Sequence, residues 1–134
     1  MTDTNVNKSE FAISKILECL LEFGLQQGTQ LRFEDIDLPD DYKSIFAGCC
    51  AWLLEEGVIR FGKASQSMDG NFAMISPMIT AKGFALLDQP FSVGGDTMRV
   101  GQAVKEVAAG RKNYASFGDF IGGLLGGFTK SMGS

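Results

Sequence analysis

The order of its hydrophobic periods constrains this chain more than any single residue does. Ile13, Ile16, Leu17, Leu20 and Leu21 recur at helical spacing, with Lys15, Glu18 and Glu22 on the opposite side. Leu31 and Phe33 then alternate with Arg32 and Glu34, the period of a short strand. A second helical stripe follows in Tyr42, Ile45, Phe46, Cys49, Trp52 and Leu53. Little room is left between Phe33 and Asp40 for another helix. After the second stripe, Val58–Phe61 and Phe72–Ile75 read as strands joined through a polar stretch carrying the hairpin signal Asp69-Gly70.

Local signals set the expected boundaries. Residues 1–8 are polar and read as a disordered lead-in, with Ser9 as N-cap and Glu10 at the positive end of the first helix dipole. Gly24 and Gly28 bracket the end of that helix. Pro39 turns the chain into a second helix over Asp40–Glu56, and Gly57 stands where a C-terminal cap belongs. Pro77 ends the return strand or sits at a sheet edge, and Thr80 caps a short helix with Phe84, Leu86 and Leu87 facing inward before Pro90 closes it. Phe91–Asp96 reads as a loop, with Gly94-Gly95 as a boundary. A third long helix is expected over Met98–Ala109, carrying Val100, Val104 and Val107 and ending at Gly110.

The fold class expected is α+β: a winged-helix-like core over 9–93, in the order helix, short strand, helix, two-stranded wing and short helix. A glycine-rich helical tail over 94–134 follows it, packing on the core or joining copies of the chain. Two stretches carry a resemblance. Trp52-Leu53-Leu54-Glu55-Glu56-Gly57-Val58-Ile59 is similar to the end of a recognition helix running into the first wing strand. Met78-Ile79-Thr80-Ala81-Lys82-Gly83-Phe84-Ala85-Leu86-Leu87 looks like the segment after the wing. With Asp69-Gly70-Asn71 and Pro77, these resemble a family of small winged-helix proteins of bacterial and prophage genomes, a domain of unknown function. The resemblance spans residues 10–90 and implies a winged-helix core, with little function attached.

Composition narrows the chemistry. Histidine is absent among the 134 residues, so no Ser-His-Asp or Cys-His arrangement and no His-containing zinc site can form. Cys49 and Cys50 are adjacent and lack the two-residue separation of a zinc knuckle or redox motif. With Cys19 they make an odd count inside apolar helical patterns, which suits reduced, buried thiols in the cytosol. The sequence carries no cofactor motif, no signal-peptide core and no run of about 20 apolar residues able to span a bilayer. A cytoplasmic, non-enzymatic protein is the expectation.

Charge is uneven. Residues 1–93 carry seven basic and thirteen acidic side chains, and residues 94–134 five basic against three acidic. Glu34, Asp35, Asp37, Asp40 and Asp41 form the densest cluster. It reads as helix-capping acids on a solvated loop, as a docking patch for a basic partner, or as a metal site, although the calcium-loop pattern is missing. The partner-binding residues expected are Asp35, Asp37, Asp40, Asp41 and Tyr42, on an immunity- or antitoxin-type inhibitor of a basic protein such as a nuclease toxin. The alternative is a phage-type transcriptional regulator reading DNA with Lys43, Ser44, Arg60 and Lys63, a weak basic footprint next to so many acids.

The tail stands apart. Gly118, Gly122 and Gly126 recur every four residues, and Phe117, Phe120, Ile121, Leu124, Leu125 and Phe128 fall at offsets of three and four. Glycine costs about 1 kcal/mol per helical position relative to alanine, so such a helix needs a partner surface to form. That surface is the protein's own core, a second copy of the chain or a membrane surface; Lys130 is the segment's only cation, which disfavours the last.

Overall fold

Lys8 reaches across 33 positions to Asp41, its Nζ 2.6 Å from Oδ2 and also seated over the Tyr42 ring. Together with the edge-on contact of Phe11 and Tyr42 at 6.1 Å, this fastens the opening turns of the first helix. The structure, a computed structural model, describes residues 5–66, 72–93 and 96–110. Its first helix, α1 (Asn5–Phe23), therefore begins four residues before the expected Ser9 cap, and residues 5–8 are helix rather than lead-in. Ser9 uses its carbonyl to accept the Cys49 thiol. Ala12, Ile13, Ile16, Leu17 and Leu20 are buried, because α1 is packed on two helices, α2 (Lys43–Glu55) and α4 (Val100–Ala108).

Strand β1 (Gln30–Arg32) buries Leu31 between two exposed neighbours, as its alternation predicts. Two single 3-10 turns, Phe33–Asp35 and Asp40–Tyr42, fill the space before α2 (Lys43–Glu55). Phe46, Cys49, Cys50 and Leu53 form the buried face of α2. Gly57 follows in a left-handed conformation, φ +77°, with its amide on the Leu54 carbonyl. That conformation ends the helix and is one that side-chain-bearing residues rarely adopt.

The strands pair differently from expectation. Strand β4 (Phe72–Ile75) lies between β1 and β3 (Lys63–Gln66), both antiparallel, in the order β1-β4-β3. The short β2 (Ile59–Arg60) pairs instead with β5 (Met78–Ile79). Both pairings keep one register, Ile59 opposite Ile79 and Lys63 opposite Ile75, so β2–β3 and β4–β5 run as a single ribbon interrupted at Phe61–Gly62 and Ser76–Pro77. The break has a cause. Ser76 has φ +56° and donates its amide to Thr29, while its hydroxyl accepts from Gly28. Pro77 has no amide to give. The expected turn at Asp69-Gly70 lies outside the described residues.

Helix α3 (Ala81–Leu87) is capped by Thr80, whose hydroxyl oxygen accepts from the Gly83 amide at 3.0 Å and donates toward the Gly57 and Val58 carbonyls. Leu86 and Leu87 are buried as expected, whereas Phe84 is 43 % exposed and does not face inward. The loop expected at Phe91–Asp96 is instead a hairpin of β6 (Pro90–Val93) and β7 (Asp96–Arg99). Its last residue leads directly into α4 (Val100–Ala108), which starts two residues later than expected. Val100, Ala103, Val104 and Val107 bury its apolar face, and α4 packs on α1. The chain is thus mixed α+β, with four α-helices and small antiparallel sheets among the described residues.

Candidate functional site

The acidic cluster lies on and between the two 3-10 turns that precede α2, and most of it is already paired. The Asp35 carboxylate accepts from the Arg32 backbone amide at 3.1 Å, from Nε at 3.0 Å and from Nη2 at 3.1 Å, which closes the first turn onto β1. The Arg32 guanidinium also lies 3.3 Å from Glu34. Asp41 holds Lys8, and Asp37, its side chain fully exposed, stands 3.9 Å from Lys15. Asp40 is exposed and makes no ion pair among the described residues. Five carboxylates therefore meet three engaged cations, Arg32, Lys8 and Lys15. Two of those cations come from α1, which is why the sequence cluster looks more acidic than the folded surface is.

Tyr42 changes role. It is only 8 % exposed, packed on Phe11 beneath Lys8, so it is a core residue and not a side chain presented for docking. Of the five acids, Asp40 faces outward without an ion pair among the described residues, and Asp37 faces outward with Lys15 at 3.9 Å.

These pairings set a pH response. The Arg32 hydrogen bond holds the Asp35 carboxyl below its ordinary value, and Lys8 does the same for Asp41. A depressed carboxyl favours the fold above its unfolded pKa, and that contribution is lost as pH falls through the folded value. Acid unfolding is therefore expected to include the uptake of protons at Asp35 and Asp41 below the ordinary carboxylate range. Carboxyl-carbon NMR titration checks this: Lys8→Met is expected to return Asp41 to the ordinary range and leave Asp35 depressed. An Asp41 that already titrates normally in the native chain contradicts the pairing.

The outward face of α2 is the feature that reading the acids alone misses. Ser44, Gly48, Ala51, Leu54 and Glu55 are its exposed positions, and no charged residue occurs from Ser44 to Leu54. The signal was present in the sequence as an uncharged run, but only burial shows which half of it is left outside. Of the cations expected to read DNA, Lys43 is half-buried at the start of α2, while Arg60 and Lys63 are exposed on the ribbon. Ser44 is exposed one residue beyond Lys43.

The thiols are not placed for chemistry. Burial pushes Cys49 up to about 11, and raises Cys50 further still with Cys49 beside it. Cys19 is raised by burial and by the nearby Glu22, Asp35 and Glu18. A thiol reagent at mildly alkaline pH is expected to label half-buried Cys19 slowly, and Cys49 and Cys50 only on unfolding. Mass-resolved labelling reads this directly, and fast modification of Cys49 in the native protein contradicts it. Among the described residues, no group of three Cys, Asp or Glu side chains is placed to hold a metal ion, and no helix is long and apolar enough to cross a membrane.

The expected tail residues Phe117, Gly118, Phe120, Ile121, Gly122, Leu124, Leu125, Gly126 and Phe128 lie outside the described residues. Comparison with protein-family models, with curated proteins and with solved structures gives no match for the chain.

Proposed function

We propose that this chain is a non-enzymatic protein-interaction domain on a winged-helix frame, with α2 in the recognition-helix position and the ribbon as the wing. The frame is supported by the strand order β1-β4-β3, in which the strand before α2 pairs with the returning strand of the hairpin. The 3-10 turns at Phe33–Asp35 and Asp40–Tyr42 take the place of the second helix.

One observation carries the choice of protein over DNA: the exposed positions of α2 hold no cation, and acids ring its N-terminal end. A helix that enters a groove needs donors for base edges and cations for phosphates, and it needs them at that end. A basic protein partner meets instead Asp37 and Asp40, with Glu34 shared by Arg32. An inhibitor of the immunity or antitoxin type suits such a surface. Asp35 and Asp41 then support the edge through Arg32 and Lys8 and do not touch the partner. The regulator reading keeps one favourable observation, the exposed Arg60 and Lys63 on the wing.

The acidic edge is testable with a defined probe. In anisotropy titrations with a labelled lysine-rich peptide of about 20 residues, D37N/D40N is expected to weaken binding about fivefold, two surface pairs' worth. The charge-matched control E22Q/E55Q should change it less than about twofold. Equal losses from both double variants would mean that the peptide senses net charge and that no docking edge exists there.

A further inference from the structure

Ser44, Gly48, Ala51 and Glu55 are exposed on α2 at spacings of four, three and four, with Leu54 beside them at 41 % and Ala47 half-buried. On a helix those spacings line up as one straight seam, the arrangement by which two helices pack side by side. A Cβ added at Gly48 would meet nothing within 4 Å, so the middle of the seam lies open among the described residues. The seam also matches itself when it is turned end for end. Gly48 then takes the level of Ala51, and Ser44 takes the level of Glu55.

We infer that this face of α2 is a two-fold interface, packed antiparallel on the same face of a second copy of the chain. In a two-fold pair each contact occurs twice, residue i on j and j on i. Gly48 meets Ala51 of the second copy, which lets the helix axes approach to the short end of the usual 8–10 Å, about 8 Å. The Ser44 hydroxyl donates to the Glu55 carboxylate of the second copy, and the exposed Leu54 is covered beside Ala47.

Charge selects the direction and the occupant. Asp40 and Lys43 stand at the N-terminal end of α2, Glu55 and Arg60 at the other, and none of the four makes an ion pair among the described residues. An antiparallel pair brings Asp40 and Lys43 of one copy to the end where Glu55 and Arg60 of the other stand, one acid and one cation from each. A parallel pair would set Asp40 on Asp40 and Glu55 on Glu55. A basic partner finds acids only at the ends, whereas a second copy matches the uncharged middle as well. The helix has 13 residues, about 20 Å of length. One helix pair of that length lies at the small end of specific interfaces, so a weak dimer is expected, with Kd on the order of tens of micromolar. The inference does not depend on the partner reading. Where both hold, the dimer and a basic partner exclude each other at Asp40.

Sedimentation equilibrium of the full chain, from about 5 to about 500 µM, is expected to show a reversible monomer–dimer equilibrium. Gly48→Arg and Leu54→Arg place a long cation at exposed positions of the seam, and each is expected to weaken the dimer at least about tenfold. Arginine is a good helix former, so neither variant should lower the urea midpoint. Engineered cysteines read the direction. Ser44→Cys mixed with Glu55→Cys is expected to oxidise to a disulfide-linked dimer, and Ser44→Cys alone is not. A chain that stays monomeric at every concentration overturns the proposal. So does a dimer that both arginine variants leave intact, because the interface is then elsewhere. Linked dimers that form as readily from Ser44→Cys alone overturn it too, because the helices are then parallel.

Discussion

Replacing Gly83 with alanine is expected to lower the stability of the fold by about 3 kcal/mol, at the upper end for overpacking. Gly83 is buried in the first turn of α3, where that helix meets the start of the ribbon. A Cβ there would lie 2.3 Å from the Val58 carbonyl oxygen and 2.6 Å from Ile79 Cγ2. The first of these is backbone and cannot rotate away. Thr80 is held to the same place by its bonds to Gly57 and Val58, so α3 has no easy direction in which to retreat. The change should appear in urea unfolding as a lower midpoint with an unchanged slope. A midpoint within experimental error of the native chain would mean that α3 does not approach Val58 this closely.

Truncating Phe46 to alanine is expected to cost more, about 3–5 kcal/mol, the range for removing a buried aromatic side chain. Phe46 is fully buried, and its ring meets Phe33 edge-on at 5.7 Å and Phe72 at 6.3 Å. Phe72 continues to Phe61 at 6.5 Å. One ring from α2 therefore connects the 3-10 turn after β1 to the central strand of the sheet and to the break in the ribbon. Removing it opens a cavity bordered by three separate elements, which cannot collapse together. Phe84→Ala is the control, an exposed position where a change within about 0.5 kcal/mol is expected. If both variants unfold at the same midpoint, the aromatic chain is not the centre of the core.

Local physics carried a good part of this fold into the sequence. The alternation around Leu31, the Thr80 cap, the glycine after α2 and the apolar stripes of α1 and α2 each follow from a few neighbouring residues. What stayed hidden depends on distant ones. Lys63–Gln66 reads as a polar loop because a strand at the edge of a sheet, with Lys63, Ala64 and Ser65 all exposed, needs no hydrophobic alternation. Its partner β4 is half-buried and gives the signal that the edge lacks. The early start of α1 rests on Lys8 meeting Asp41, a contact across 33 positions that no local pattern announces.

The candidate surface was legible in the same uneven way. The five acids are plain in the sequence, but which of them remain outward-facing is decided by Arg32, Lys8 and Lys15. Tyr42 sits among charges in sequence and yet points into the core, since the 3-10 turn at Asp40–Tyr42 rotates it beneath Lys8. Phe84 is the converse case. Its neighbours suggest an inward residue, while the contact of Gly83 with Val58 fixes the rotation of α3 and leaves Phe84 outside.

The measurement that bears most directly on the central claim is a titration of labelled random duplex DNA, about 30 base pairs long, with the full chain at about 50 mM salt, where phosphate contacts are strongest. The account predicts no saturable binding up to tens of micromolar protein, because α2 offers no cation from Ser44 to Leu54 and its N-terminal end is acidic. Saturable binding whose affinity falls steeply with added salt, and is lost on replacing Arg60 and Lys63 with glutamine, would contradict it and make the chain a DNA reader.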